Sequence, residues 1–234
     1  MQPRTPALLS WSGGKDAAWA LHALRQRADI DVVGLVTTIT AGAERASMQG
    51  IRVDVLRAQA AAARLPLIEV RIPQQVGNAA YEARMSGALA QARLRWPQLA
   101  TIAFGDLFLA DIRAWREALC ARLGWSAMFP LFGADTAALA RGMQTGGLRA
   151  HLCCVDTTQL DPCYAGRAFD AGLLDALPAG VDPCGERGEF HTCVSDGPMF
   201  DAPLALEVGE TVLREQRFLY TDFVLAGGGA GPVA

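Results

Sequence analysis

The sequence is poor in lysine and asparagine, with one of each, Lys15 and Asn78, in 234 residues. Of its 21 basic side chains, 20 are therefore arginine. That bias, alongside abundant alanine and glycine, is what a GC-rich coding sequence produces. A lysine retained where arginine is the default cation marks a position that needs a compact point charge rather than a planar fork. There is no surplus of positive charge either: the formal net charge is -3, which argues against holding nucleic acid or an anionic membrane mainly by bulk electrostatics. No apolar run approaches the ~18 residues of a membrane-spanning helix. The opening stretch MQPRTPALLSWSGGKD is apolar too briefly for a signal peptide. The six cysteines include no CxxC pair and do not suit a small disulfide scaffold. A reducing cytoplasm is the expected compartment.

At roughly 150 residues per domain, this length suits one large domain or one domain with a smaller appendage. Apolar, β-branched runs at Ala7–Ser10, Val32–Ile39, Leu67–Ile72 and Thr101–Phe104 read as strands. Helical spacing fills Asp16–Arg27, Val53–Arg64, Asn78–Trp96 and Asp111–Gly124, with Asn78 as an N-cap and Gly124 at the C-terminal turn. This alternation predicts an α/β fold, a doubly wound parallel sheet with helices on both faces. Beyond it come a helix at Thr136–Met143, an apolar run at Ala150–Val155, a loop-rich stretch from Asp156 to Pro203, and strands at Ala205–Val208 and Arg217–Leu225. The expected division is a first domain over 1–125, a smaller C-terminal α+β subdomain over 126–225 and a disordered tail over 226–234.

Between the first strand and first helix lies Ser12-Gly13-Gly14-Lys15-Asp16. Glycines there let the backbone turn sharply and aim several N–H groups at one point. The helix N-terminus adds partial positive charge, and Lys15 adds a full one, which together suit phosphate or pyrophosphate. The plain alternative is a tight turn with a solvated loop-tip lysine. It is not a Walker A loop, because Leu9 and Asp16 stand where that pattern has glycine and Ser or Thr. An acid directly after the lysine suits a site that also holds Mg²⁺ or positions the lysine.

In the second half the densest polar cluster is Glu186, Glu189 and His191. On an extended segment Glu189 and His191 share a face, and a paired acid and imidazole could bind an amine or take a proton from ammonium. A surface hairpin with solvated charges is the competing reading. Cys184, His191 and Cys193 are spaced C-x6-H-x-C, wider than structural zinc sites usually show. His22 and His151 are assigned to core or surface, and Trp115 to the core.

SGGKD after a first strand is the pyrophosphate-loop signature of enzymes that split ATP between its α and β phosphates, although Ala17 stands where the usual pattern has serine. Further segments are Thr37-Thr38, Ser47-Met48-Gln49-Gly50, Asn78 with Tyr81-Glu82, Gly105-Asp106-Leu107, Asp111 to Glu117, and Asp182-Pro183-Cys184-Gly185-Glu186-Arg187-Gly188-Glu189-Phe190-His191-Thr192. In this order, over most of residues 7 to 225, they resemble the diphthine–ammonia ligase family, and most closely its bacterial-type members with GEFHT in place of GEYET. The resemblance implies an adenine-nucleotide α-hydrolase-like, Rossmann-like domain with a smaller part closing over it. It implies ATP and Mg²⁺. Ser12, Gly13, Gly14 and Lys15 would hold phosphates, with Thr37 and Thr38 near the nucleoside and Ser47, Met48 and Gly105 beside the nucleotide. Asp16 and Asp106 would position metal or water, and Lys15, Asp106, Glu186, Glu189 and His191 would serve catalysis.

The implied reaction makes an acyl-adenylate from a carboxylate, on a small molecule or a protein side chain, and lets ammonia or an amine displace AMP. Two other classes remain open: a pyrophosphate-loop RNA-modifying enzyme, which the acidic charge and missing CxxC disfavour, and a non-catalytic ATP-binding regulatory module. Neither membrane nor nucleic acid is an expected partner, and a homodimer is allowed.

Overall fold

Ala7, Leu8 and Leu9 are all fully buried, although side chains alternate between the two faces of a strand. Strand β1 (Thr5–Ser10) must therefore be covered on both sides, as a central parallel strand is. The computed structural model, which describes residues 4–74 and 77–227, has that arrangement. In chain order follow α1 (Lys15–Arg25), β2 (Ile30–Thr40), β3 (Arg45–Ala46), α2 (Val53–Ala62), β4 (Leu67–Ile72), α3 (Asn78–Arg95), β5 (Thr101–Ala103), α4 (Ala110–Arg122) and β6 (Ser126–Met128). Strands β4, β2, β1, β5 and β6 lie side by side and parallel. Short β3 runs antiparallel to the end of β2. On one face Leu9, Leu35, Leu21 and Leu24 of α1, and Leu56 of α2 share a core. On the other, Leu8, Val36 and Ile102 pack with Met85 and Leu89 of α3. Each fully buried leucine contributes about 2 kcal/mol.

From β1 the chain winds to β2 on one side and to β5 on the other. Such a reversal opens a crevice at the carboxyl ends of the strands, where open α/β sheets bind ligands.

The second part comprises α5 (Thr136–Thr145), β7 (Arg149–Asp156), α6 (Ala171–Ala176), β8 (Phe190–Asp196), β9 (Leu206–Arg214) and β10 (Phe218–Leu225). Its strands form an antiparallel sheet in the order β8-β7-β10-β9. Leu152, Phe190 and Val194 of this sheet join the same core as α1 and α2. Asp222 ties the two parts together, accepting from Arg45 at 2.7 Å and Arg52 at 2.8 Å.

The fold expectation stands: a Rossmann-like α/β core with a smaller α+β part. Details differ. Helix α3 is capped by Gly77, with Asn78 its first residue and no side-chain cap bond. The loop-rich stretch contains β8, whose sequence FHTCVSD mixes polar and apolar residues at both parities. Strand β6, at residues 126–128, belongs to the first sheet. The expected C-terminal tail lies outside the described residues from 228 onward.

Candidate functional site

The chain leaves β1, passes Trp11 and Ser12, and turns at Gly13, whose φ of +80° favours glycine. A Cβ there would also lie 2.7 Å from Leu56. Helix α1 then begins at Lys15 with Gly14 as its N-cap. Strand β8 closes over this turn: the Lys15 N–H donates to Thr192 Oγ1 at 3.0 Å, and the Val194 N–H donates to the Gly13 carbonyl at 3.0 Å.

Lys15 is not a solvated loop-tip residue. It is 2% exposed, and its ammonium donates to Asp16 Oδ2 at 2.8 Å and to the Cys184 carbonyl. It lies over the rings of Phe169 and Phe190, 5.8 and 5.4 Å from their centroids. The turn at Cys184 and the start of β8 cover the lysine, which the local sequence does not reveal. Burial disfavours the ammonium, but neighbouring Asp16 outweighs it and Lys15 titrates above its ordinary value.

Gly105 follows β5 and lies against the start of α1. A Cβ would come within 2.8–2.9 Å of the Asp16 and Ala17 backbone, so only glycine lets the two loops meet. Glu186 reaches this junction from the second part and accepts the Leu107 N–H at 2.8 Å. Its carboxyl is pushed up from 4.5 to about 7, by burial first, against the Leu107 N–H, and further by Asp16. Asp106 faces Arg116 at 2.6 Å, and Arg116 in turn lies 4.4 Å over the Phe104 ring.

Beside the loop, at the carboxyl ends of β1, β2 and β5, is a cavity of about 330 Å³. Ser12, Thr37, Thr38, Ser47 and Met48 line one side, and Tyr81, Phe104, Trp115 and Arg116 the other. Thr37 is 2% exposed, and its Oγ1 has no hydrogen-bond partner among the described residues. A hydroxyl so placed can bind a ribose or base. A larger cleft of about 500 Å³, between the β2–β3 region and β10, shares Ala46, Ser47, Met48 and Ile72 with it but contains no residue of the glycine loop. Of the two, only the smaller cavity is lined by a residue of the glycine loop, Ser12.

Residues 4–127, more than half of the chain, match the family described as the diphthamide synthase N-terminal domain. Residues 135–221 match its C-terminal domain. The chain belongs to the diphthamide synthase family. A curated relative, diphthine–ammonia ligase of Schizosaccharomyces pombe, is 31% identical over 121 residues, covering 50% of this chain and 20% of that protein. The chain thus spans about a fifth of the length of that relative.

Within this family member, the three residues of the second-half cluster separate. Glu189 is 2% exposed, and its two oxygens accept the Asp182 and Arg187 N–H groups, each at 2.9 Å. It braces the loop that carries Cys184 and Glu186, with one backbone N–H on each oxygen. Glu189→Gln is therefore expected to leave one N–H facing an NH₂ group and to cost about 1–3 kcal/mol, read as a lower melting temperature. His191 is pushed down to about 4, by burial first and then by Lys15, so it is a neutral imidazole and a weak base at pH 7. Glu186 is the member of the three whose carboxyl is raised toward neutrality.

The shift of Glu186 also sets a pH dependence. Folding favours its protonated form, so its contribution to stability is complete below about 4.5 and is lost as pH rises through about 7. Melting temperatures measured across that window should fall with rising pH, and Glu186→Gln should flatten that decline.

Among the described residues, no group of three or more His, Cys, Asp or Glu side chains is placed to hold a metal by itself. Asp16 nevertheless fits Mg²⁺: its Oδ1 is buried with no partner among the described residues, and Mg²⁺ takes one or two carboxylates together with phosphates and water. Asp106 is placed comparably: it faces Arg116 as Asp16 faces Lys15, and its Oδ2 is also buried with no hydrogen-bond partner among the described residues. The resemblance singled out the segments carrying Tyr81 and Arg116 without giving either residue a role, and the reading of the sequence assigned Trp115 to the core. Both aromatics prove to be cavity walls, their rings 6.0 Å apart.

Proposed function

We propose that this family member is an ATP-dependent ligase that forms an amide and releases AMP and pyrophosphate. One observation carries the reading: Ser12, which leads into the glycine loop and its buried lysine, lines a nucleoside-sized cavity, and Glu186 holds the Gly105–Leu107 loop that packs on the same helix start. A carboxylate oxygen of the acceptor attacks the α-phosphorus of ATP, and the bond to the β-phosphate oxygen breaks. Pyrophosphate leaves toward Ser12, Gly13, Gly14 and Lys15, where charge develops against fixed donors. Thr37 and Thr38 orient the nucleoside. Glu186 takes a proton from ammonium, the freed ammonia attacks the acyl carbon, and the adduct loses a second proton to solvent as the acyl–oxygen bond breaks and AMP leaves. Mg²⁺ bound at Asp16 would neutralise part of the phosphate charge.

The relative's name, an ammonia ligase, supports amide formation. Here the acceptor is kept as a class, a carboxylate on a small molecule or a protein side chain. The neighbouring 500 Å³ cleft, which shares Ser47 and Met48 with the smaller cavity, is where the acceptor would approach. Six free cysteines fit a reducing cytoplasm, which belongs to the same reading. None of the helices among the described residues is long and apolar enough to cross a membrane.

The experiment is to supply ATP, Mg²⁺ and ¹⁵N-ammonium with fractionated cellular carboxylates and search by mass spectrometry for an amide carrying ¹⁵N. ATP-dependent labelling that falls about 10²–10⁴-fold in Glu186→Gln supports the reading. Labelling independent of ATP, or none in any fraction while ATP is consumed, contradicts it.

A further inference from the structure

Helix α2 carries a fully buried polar side chain, Gln59, whose amide is satisfied on every side. Its Oε1 accepts from Trp11 Nε1 at 3.0 Å. Its Nε2 donates to the Gly13 carbonyl at 3.0 Å and to the Val194 carbonyl at 2.7 Å. These three partners admit only one orientation of the amide, since the reverse would set an oxygen against two carbonyls.

Gly13 and Gly14 form a peptide unit with little intrinsic preference for direction, because glycine accepts φ of either sign. A trans peptide points its C=O and N–H opposite ways. With the Gly13 carbonyl held by Gln59 and by the Val194 N–H, the Gly14 N–H must point away from β8. It does so, toward Ser12 Oγ at 3.3 Å, and Ser12 lines the nucleotide-sized cavity. The opposite rotation would present a carbonyl oxygen where an anion is to bind.

We propose that Gln59 is a positioning residue of the phosphate site, holding the Gly13–Gly14 peptide with its N–H directed at the bound anion. It acts through the loop and touches no substrate. The proposal rests on the reading of this loop as a pyrophosphate site and adds the group that sets its donor geometry. It also makes β8 part of that site, since Val194 supplies both the second N–H on Gly13 and the carbonyl that orients Gln59.

The test is calorimetric titration with inorganic pyrophosphate in Mg²⁺ and, separately, with adenosine. Gln59→Met keeps the length of the side chain and removes both donors. Pyrophosphate affinity is expected to fall ten- to a hundredfold while adenosine affinity stays at the wild-type value. A general structural role would not produce that split. Should Gln59→Met fail to fold, Gln59→Asn keeps the amide but draws it back by about 1.5 Å, and the same split is expected. Folded variants that bind pyrophosphate like the wild type, or that lose both ligands equally, overturn the proposal. A wild-type protein that binds adenosine but not pyrophosphate overturns the phosphate-site reading and this inference with it, before any variant is needed.

Discussion

Replacing Lys15 with alanine is expected to lower AMP-forming turnover about 10²–10³-fold and to lower the melting temperature at the same time. The catalytic part follows from where charge develops: the leaving pyrophosphate would lose the one full positive charge of its loop. Losing a single preorganised donor of that kind costs about 10²–10³ in rate. The structural part follows from burial. Lys15 is 2% exposed and is held by Asp16 and the Cys184 carbonyl, so its removal strands a partly buried carboxylate. Breaking such a pair costs on the order of 3 kcal/mol, or roughly 6–12 °C for a chain of this size. Lys15→Met, which keeps the volume, should recover part of the stability and none of the turnover. Lys15→Arg should recover neither in full, because a guanidinium must be forced between Phe169 and Phe190. Turnover and thermal melts on the three variants check this. A folded Lys15→Ala protein with wild-type turnover would remove the lysine from the mechanism.

Glu186→Gln should lower amide formation about 10²–10⁴-fold while ATP affinity changes little. Its carboxyl sits near 7, so it is half-ionised at neutral pH and can both accept and return a proton. Wild-type activity should therefore rise with pH through about 7 as the carboxylate forms. Glutamine cannot titrate, and the residual activity of the variant should lack that limb. Rate against pH, measured with ATP saturating, distinguishes this from loss of nucleotide binding. An unchanged limb in Glu186→Gln would assign the titrating group elsewhere.

The parts of this site that depend on neighbours in the chain could be read in advance. An apolar run ending in Ser12-Gly13-Gly14-Lys15-Asp16 specifies a strand, a tight turn and a helix start, and a solitary lysine among arginines stands out at that turn. The parts that depend on distant packing could not. Lys15 is buried because Cys184, 169 positions away, turns over it, and nothing in the local pattern distinguishes that from a solvated tip. Glu186 and Glu189 look equivalent in sequence; only the placement of backbone N–H groups sets Glu189 against Asp182 and Arg187 and Glu186 against Leu107. Trp115 and Arg116 share with ordinary core-facing residues the helical spacing that puts them on the cavity wall. Gln59 sits in an alanine-rich helix with no motif at all, and its partners come from the loop and from β8.

The most direct test of the central claim is to identify what becomes of ATP in the presence of Mg²⁺, ammonium and a carboxylate pool. Chromatographic separation of nucleotides with a parallel pyrophosphate assay gives the answer. AMP and pyrophosphate in equal amounts, dependent on the carboxylate pool and lowered about 10²–10³-fold in Lys15→Met, are expected from cleavage between the α and β phosphates. ADP and inorganic phosphate would mean that the loop directs cleavage elsewhere, contradicting the mechanism. ATP bound without either pair of products, across every pool, would make the chain a nucleotide-binding module instead of a ligase.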